Sequence, residues 1–270
     1  MRNLLRACLI APVAPGLHAA EPVATTVRLT PAPGMTRAEL KHFEVPAGCA
    51  GALVLCPGYN ADGEAMMRSP VWRELAKRHR LVLVGLSFAS AEDDLQPEGR
   101  RGYYYVEKGS GRLLLEGVRK IAGKEVPVSL FGFSGGAHFV HRLAYRFPDK
   151  VRVWAVSGFG WHDEAPADSK AKPPGIFVCG LDDERLGATR DAFLSARRAK
   201  WPVCWYGVPK SGHVIDPGAS AWVAGYFDAE LSAPGEPGVW AEAGDRGLDG
   251  FLVKCRFPNE ALRDSWAGAR

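Results

Sequence analysis

A mostly parallel, doubly wound α/β sheet with helices on both faces is the fold class that this sequence predicts. Three observations carry that expectation. Short apolar runs recur along the chain, at Ala52 to Cys56, Leu81 to Leu86, from Val128, at Val151 to Ser157, Ile176 to Gly180 and Val203 to Val208. Most are apolar throughout, as in strands buried on both faces. Stretches with helical periodicity separate most of them, which implies right-handed crossovers and a sheet covered on both sides.

In order, Val23 to Arg28 and Lys41 to Val45 flank a turn containing Pro31, Pro33 and Gly34 and read as an antiparallel hairpin at the sheet edge. Ala52 to Cys56 is the first buried strand and runs into the loop Pro57-Gly58-Tyr59-Asn60. Ser69 precedes Pro70 at the start of a helix reaching about His79. The stretch Ser87 to Ser110 reads as a long irregular loop, and a loop of that length is usually functional. Its Tyr103, Tyr104 and Tyr105 either line a substrate groove or form a strand-like surface patch. Gly111 to Ala122 is helical, with Leu114, Leu115, Val118 and Ile121 on one face.

The run Val128 to His138 joins a buried strand, the turn Gly132-Phe133-Ser134-Gly135-Gly136 and the start of a helix to about Phe147. A serine on such a strained strand-to-helix turn has its hydroxyl exposed above the sheet. Gly132 and Gly136 leave room where the strand and helix backbones pass. Further helices are expected at about Gly187 to Lys200 and Ala219 to Leu231. Only Gly158 to Gly175 separates the strand after the serine's helix from the next strand, too little for a helical cap. The remainder, 232–270, is a tail interrupted by Gly and Pro, in which Phe251-Leu252-Val253 is a candidate edge strand.

Composition narrows the function. The chain has 270 residues, 47% of them hydrophobic, which suits one domain with a sizeable core. A net charge of +4, without basic runs interleaved with aromatics, gives no footprint for nucleic acid. No metal-type Cys/His cluster or internal repeat is evident, and no later apolar run is long enough to span a bilayer. The first 20 residues read as an export signal, with Arg2 and Arg6, an apolar run from Ala7 to Leu17, and cleavage near Ala20. That predicts a secreted or periplasmic protein without membrane insertion after signal removal. Cys49, Cys56, Cys179, Cys204 and Cys255 remain, an odd number. Cys179 lies near the end of its strand and Cys204 near the start of the next, so a bond between them is not expected.

Chemistry in such sheets gathers at the carboxyl ends of the strands. Tyr59, Ser134, Asp182, Asp183 and His213 all fall there. A serine hydroxyl needs a base, and the base an orienting acid. His213, in Ser211-Gly212-His213 after the last core strand, is the base; Asp183 is the acid, with Asp182 the alternative. The oxyanion hole is assigned to the backbone N–H groups of Tyr59 and Gly135, the latter at a helix N-terminus. Asn60, His162 and Tyr104 are candidate substrate contacts, and Asn60 is alternatively a brace for its loop.

With Cys56-Pro57-Gly58-Tyr59-Asn60, Gly132-Phe133-Ser134-Gly135-Gly136, Gly180-Leu181-Asp182-Asp183 and Gly212-His213 in the order serine, acid, histidine, the chain resembles the α/β-hydrolase superfamily. Its short layout is similar to the branch of polyhydroxybutyrate-depolymerase-like and feruloyl-esterase-like secreted esterases, from about 45 to 231. That branch often carries His-Gly-Cys where this chain has Pro57-Gly58-Tyr59. The resemblance implies an α/β-hydrolase fold without a large cap, a serine-esterase mechanism with an acyl-enzyme on Ser134, and no cofactor. The expected substrate is a small-molecule or polymer-attached ester, bulky or aromatic, at an open site. A serine peptidase or amidase, and a non-catalytic binding protein on the same scaffold, are the alternatives.

Overall fold

The computed structural model describes residues 22–95, 99–243, 247–248 and 253–268. The expected signal segment lies outside them. Eight strands form the main sheet: β1 (Thr25–Arg28), β2 (Met35–His42), β3 (Gly51–Cys56), β4 (Leu81–Ser90), β5 (Val128–Phe133), β6 (Val151–Ser157), β7 (Gly175–Gly180) and β8 (Val203–Val208). Their order is β1-β2-β4-β3-β5-β6-β7-β8. The first two form the expected edge hairpin, and β2 lies antiparallel on β4. From β4 to β8 every pairing is parallel. The sheet reverses direction of growth at β3, so chemistry is expected at the carboxyl ends of β3 and β5.

The principal helices are α1 (Glu64–Met67), α2 (Pro70–Arg78), α3 (Glu92–Leu95), α4 (Ser110–Ala122), α5 (Gly135–Arg146), α6 (Leu186–Arg198) and α7 (Pro217–Ser232). On one face Trp72 of α2 packs on Phe131 of β5 at 5.0 Å and on Phe227 of α7 at 6.1 Å between ring centroids. On the other, Trp154 of β6 meets Tyr145 of α5 and Phe177 of β7, which in turn meets Phe193 of α6. Every residue of β3 and β4 is buried, which explains their unbroken apolar runs.

Four expectations change. The irregular stretch from Ser87 is shorter than its composition suggests, because β4 continues to Ser90 by pairing with β2 and α3 follows. Tyr103, Tyr104 and Tyr105 are neither surface patch nor open groove; all three are buried. The hairpin's second strand begins at Met35, six residues earlier than expected, because β4 supplies its partner from Ser90 backwards. In the tail, β9 (Val239–Ala243) pairs with β10 (Val253–Phe257) in a separate two-stranded sheet followed by α8 (Glu260–Gly268), so Val253 does not extend the main sheet, while Phe251 and Leu252 of the expected edge strand lie outside the described residues.

The tail instead covers the outer edge of β8. The Trp205 N–H donates to Cys255 Sγ at 3.2 Å, and Trp266 Nε1–H donates to the Trp205 carbonyl at 3.0 Å. An open strand edge is thereby satisfied by side chains rather than by another strand. All five described cysteines are free and buried. Cys179 pairs in register with Gly207 and Cys204 with Ile176, three rungs apart.

Candidate active site

Ser134 sits between the last residue of β5 and the first of α5, with φ 51° and ψ −113°. A non-glycine residue there carries strain on the order of 1–3 kcal/mol, held by its surroundings. Those surroundings are backbone. A Cβ on Gly136 would lie 2.0 Å from the Cys56 carbonyl oxygen, and one on Gly132 would lie 2.5 Å from the Gly136 carbonyl oxygen. The Ser134 N–H donates to the Ser157 carbonyl at 2.9 Å, tying the turn to β6. The serine is half-buried at the carboxyl end of the sheet.

The acid and the histidine come from the loops after β7 and β8. Asp183 is 6% exposed, and its Oδ2 accepts the Nδ1–H of His213 at 2.8 Å. Its Oδ1 accepts the Arg185 N–H at 2.9 Å, so both carboxylate oxygens are engaged. Asp182 is exposed, and only its backbone takes part, donating N–H to the Ser211 carbonyl at 2.9 Å. That bond staples the two loops together. Gly180 permits it, since its Cβ would fall 2.1 Å from the Ser211 carbonyl oxygen. The structure thus brings Asp183, not Asp182, onto the histidine. Phe133, next to the serine, stacks on the His213 ring at 4.7 Å and 28°, which holds the imidazole beside the elbow.

The loop after β3 is braced from three sides. The Asn60 side chain is tied at both ends to Ser90, donating to its carbonyl at 2.8 Å and accepting its N–H at 3.0 Å. Asn60 thus braces its loop, the alternative role expected for it. Arg37 Nη2 donates to the Asn60 carbonyl at 2.6 Å and the Ala61 carbonyl at 3.0 Å, while its Nε reaches the Ser87 carbonyl. The Asn60 N–H points at the Tyr103 hydroxyl, 3.4 Å away. Tyr59 N lies 2.6 Å from where a Cβ on Gly135 would stand, so the two expected oxyanion donors are neighbours. The Tyr59 side chain is 46% exposed.

His162 is not part of this cluster. It is half-buried, with its charged neighbours Glu164, Asp191, Asp163 and Arg198 on its own loop and α6, and burial lowers its pKa. Tyr104 is buried with its hydroxyl against Gly135. Sequence reasoning missed Gly158, at φ 54°, whose Cβ would lie 2.7 Å from Asp183 Oδ2 and 3.0 Å from His213 Nδ1. It also missed Phe133 and Arg37. A glycine directly after a buried strand was the available signal for Gly158. The Phe133 and Arg37 roles leave none, because stacking and loop bracing depend on partners distant in the chain.

Among the described residues no group of three or more His, Cys, Asp or Glu gathers to hold a metal ion. Also among them, no helix is long and apolar enough to cross a membrane. The segment 158–174 carries no helix, so no helical cap covers the site from that side.

No family profile and no curated protein matches this chain. Solved structures do. One is an α/β-hydrolase enzyme from a Medee basin deep-sea metagenome library, at 14% identity and TM-score 0.55, over 77% of this chain and 98% of that one. A ferulic acid esterase from Anaeromyces mucronatus, solved with ferulic acid, superposes at TM-score 0.57 with 16% identity, over 80% of this chain and 93% of that one. A carboxylesterase from Mesorhizobium loti gives TM-score 0.55 and 22% identity, over 75% and 98%. With the strand order and the strand–turn–helix at Ser134 already in place, these likenesses show that this chain has the α/β-hydrolase fold.

Proposed function

We propose that this protein is a serine hydrolase that cleaves carboxylic esters through an acyl-enzyme on Ser134. The observation that carries the reading is the 2.8 Å bond from His213 Nδ1 to the buried Asp183, with the imidazole stacked on Phe133 beside the strained serine. Asp183 fixes the tautomer that leaves Nε2 free to accept a proton, and it stabilises the imidazolium that results. Ser134 Oγ attacks the ester carbonyl as His213 takes its proton. The N–H groups of Tyr59 and Gly135 hold the oxyanion. As the tetrahedral adduct collapses, His213 gives the proton to the departing alcohol. Water, deprotonated by the same imidazole, then hydrolyses the acyl-enzyme and frees the serine.

Bulky or aromatic esters, free or attached to a polymer, fit this site best. No cap covers it from 158–174, and Tyr59, Val214 and Ile215 expose apolar surface on the oxyanion and histidine loops. The similarly folded ferulic acid esterase supports the same class. Arg2, Arg6 and the apolar run from Ala7 to Leu17 support export, so that the enzyme works in the periplasm or outside the cell.

The test is fluorophosphonate labelling with mass mapping, together with turnover of short-chain p-nitrophenyl esters, on wild type and Ser134→Ala. Labelling confined to Ser134, with turnover lost in the variant, is the expected result. A folded protein that is neither labelled nor active would replace this reading with a binding role.

A further inference from the structure

The residue after the serine is a glycine with something specific in its place. A Cβ on Gly135 would lie 2.8 Å from the Tyr103 hydroxyl, 2.8 Å from the Tyr104 hydroxyl and 2.6 Å from Tyr59 N. The elbow needs its glycines at 132 and 136 for backbone passage, but nothing in the turn itself requires one at 135. Here the missing side chain makes room for two phenol oxygens, set beside the two backbone N–H groups assigned to the oxyanion.

Both rings are buried, Tyr103 to 2% and Tyr104 to 4% exposure. A buried hydroxyl is costly unless bonded, so its partners can be followed. The Tyr103 oxygen accepts the Asn60 N–H at 3.4 Å, and the Tyr104 hydroxyl borders the same space that a Gly135 side chain would fill. Among the hydrogen bonds of the described residues, the Tyr104 hydroxyl donates to no protein acceptor, while the Tyr103 oxygen is already engaged by the Asn60 N–H. One donor is therefore left over next to the oxyanion site.

The scaffold around it is firm. The Tyr103 N–H donates to Ser90 Oγ at 2.8 Å, and Ser110 Oγ–H donates to the Tyr103 carbonyl at 2.9 Å. The Tyr104 ring stacks on His138 at 4.8 Å and meets Trp161 edge-on at 6.0 Å. Burial pushes the Tyr104 phenol up to about 12, so it keeps its proton at neutral pH.

We propose that the Tyr104 hydroxyl is a third donor to the oxyanion, positioned by Tyr103, whose ring packs edge-on against it at 4.7 Å and whose hydroxyl accepts the Asn60 N–H. This rests on the serine-hydrolase reading. During attack on the carbonyl, the Tyr104 O–H shortens its bond to the developing alkoxide without giving up its proton. Tyr104 is then a catalytic residue and Tyr103 a positioning one.

The experiment compares Tyr104→Phe, Tyr103→Phe and Tyr105→Phe with wild type. Tyr105 is the control, since its buried hydroxyl bonds the Leu95 carbonyl instead. For a short p-nitrophenyl ester, Tyr104→Phe should lose about 10²-fold in kcat, as for removal of one oxyanion donor, with KM little changed. Its affinity for a trifluoromethyl ketone, which forms a charged tetrahedral adduct, should fall by a similar factor. Tyr103→Phe should lose less, and Tyr105→Phe should match wild type. Should Tyr104→Phe fail to fold, 3-fluorotyrosine at 104 keeps the shape and makes the phenol a stronger donor, and kcat should change. Unchanged kcat and ketone affinity in Tyr104→Phe, a loss confined to KM, or an unmoved kcat with fluorotyrosine would overturn the proposal. Failure of wild type itself to label at Ser134 would instead remove the reading on which it rests.

Discussion

The two halves of the site are built from glycines in different ways. On the serine side, Gly132 and Gly136 make room for backbone: each missing Cβ stands against a carbonyl of the neighbouring element. On the acid–histidine side, Gly180 makes the same kind of room for the loop carrying His213, but Gly158 makes room for side chains, the Asp183 carboxylate and the His213 ring. Backbone in a buried sheet cannot move aside, whereas a carboxylate and an imidazole on loops can. The serine half is thus inseparable from the fold, and the other half is an adjustable constellation placed on it.

The largest effect that sharpens this contrast is expected from Gly136→Ala. Its methyl group would stand 2.0 Å from the Cys56 carbonyl oxygen, between β3 and α5. Relief requires the central helix to leave the sheet. Overpacking at this depth costs about 3 kcal/mol or more, so little folded protein should be recovered. A variant with wild-type melting temperature would show that the elbow is softer than its geometry.

Next comes the choice of acid. Asp183→Asn keeps the shape but inverts the hydrogen-bond preference at His213 Nδ1, favouring the tautomer with a proton on Nε2. By analogy with removal of the acid's charge in a serine triad, kcat should fall by about 10⁴-fold. Asp182→Asn changes an exposed side chain and should leave kcat within about twofold, as surface changes do. Equal losses in the two variants would break the assignment of roles between these neighbours.

Gly158→Ala should fall between these cases. The methyl group meets Asp183 Oδ2 at 2.7 Å and His213 Nδ1 at 3.0 Å, and φ 54° adds strain. The protein should fold, because the groups in the way can shift. Displacing the imidazole by up to about 1 Å should lower kcat by up to about 10²-fold, the sensitivity of a positioned catalytic group. Circular dichroism matching wild type, with turnover reduced, is the expected pair of results. Full activity would mean that the acid–histidine pair tolerates more displacement than this packing suggests.

The same distinction explains what could be read from the sequence. The serine half is local: strand, turn and helix run continuously from Val128 to Arg146, so period and glycine spacing reveal it. The parallel strands were legible because nearly every residue in them is buried, and their ends placed Ser134, Asp183 and His213 on one side of the sheet. The choice between Asp182 and Asp183 was not legible. It depends on one residue of loop geometry, fixed by the bond from Asp182 N–H to the Ser211 carbonyl. The burial of Tyr103 and Tyr104 was also hidden, because their setting is made by Asn60, Ser90 and Gly135, from three separate parts of the chain. A run of three aromatics looks alike whether it faces solvent or a core.

The smallest effect concerns the helix that the two halves share. His138 and His141 on α5 are buried, and desolvation holds both well below the ordinary histidine range, with His141 and Arg142 adding repulsion at His138 and Arg142 at His141. His141 is fixed as the neutral form: Nδ1–H donates to the Ala137 carbonyl at 3.0 Å and Nε2 accepts the Asp163 N–H at 3.2 Å. A depressed folded-state pKa means that the unfolded chain binds more protons once pH drops below about 6.5. The stability from these two groups is therefore full above that pH and declines below it, by up to about 1.4 kcal/mol per pH unit for each. Urea unfolding at pH 7.5, 6.5 and 5.5 should show little change over the first step and a clear loss over the second. His138→Phe retains a ring against Tyr104 and Trp161 and removes one titrating group, so the loss between pH 6.5 and 5.5 should be roughly halved. An identical loss in wild type and variant would place the acid sensitivity elsewhere than in these two helix histidines.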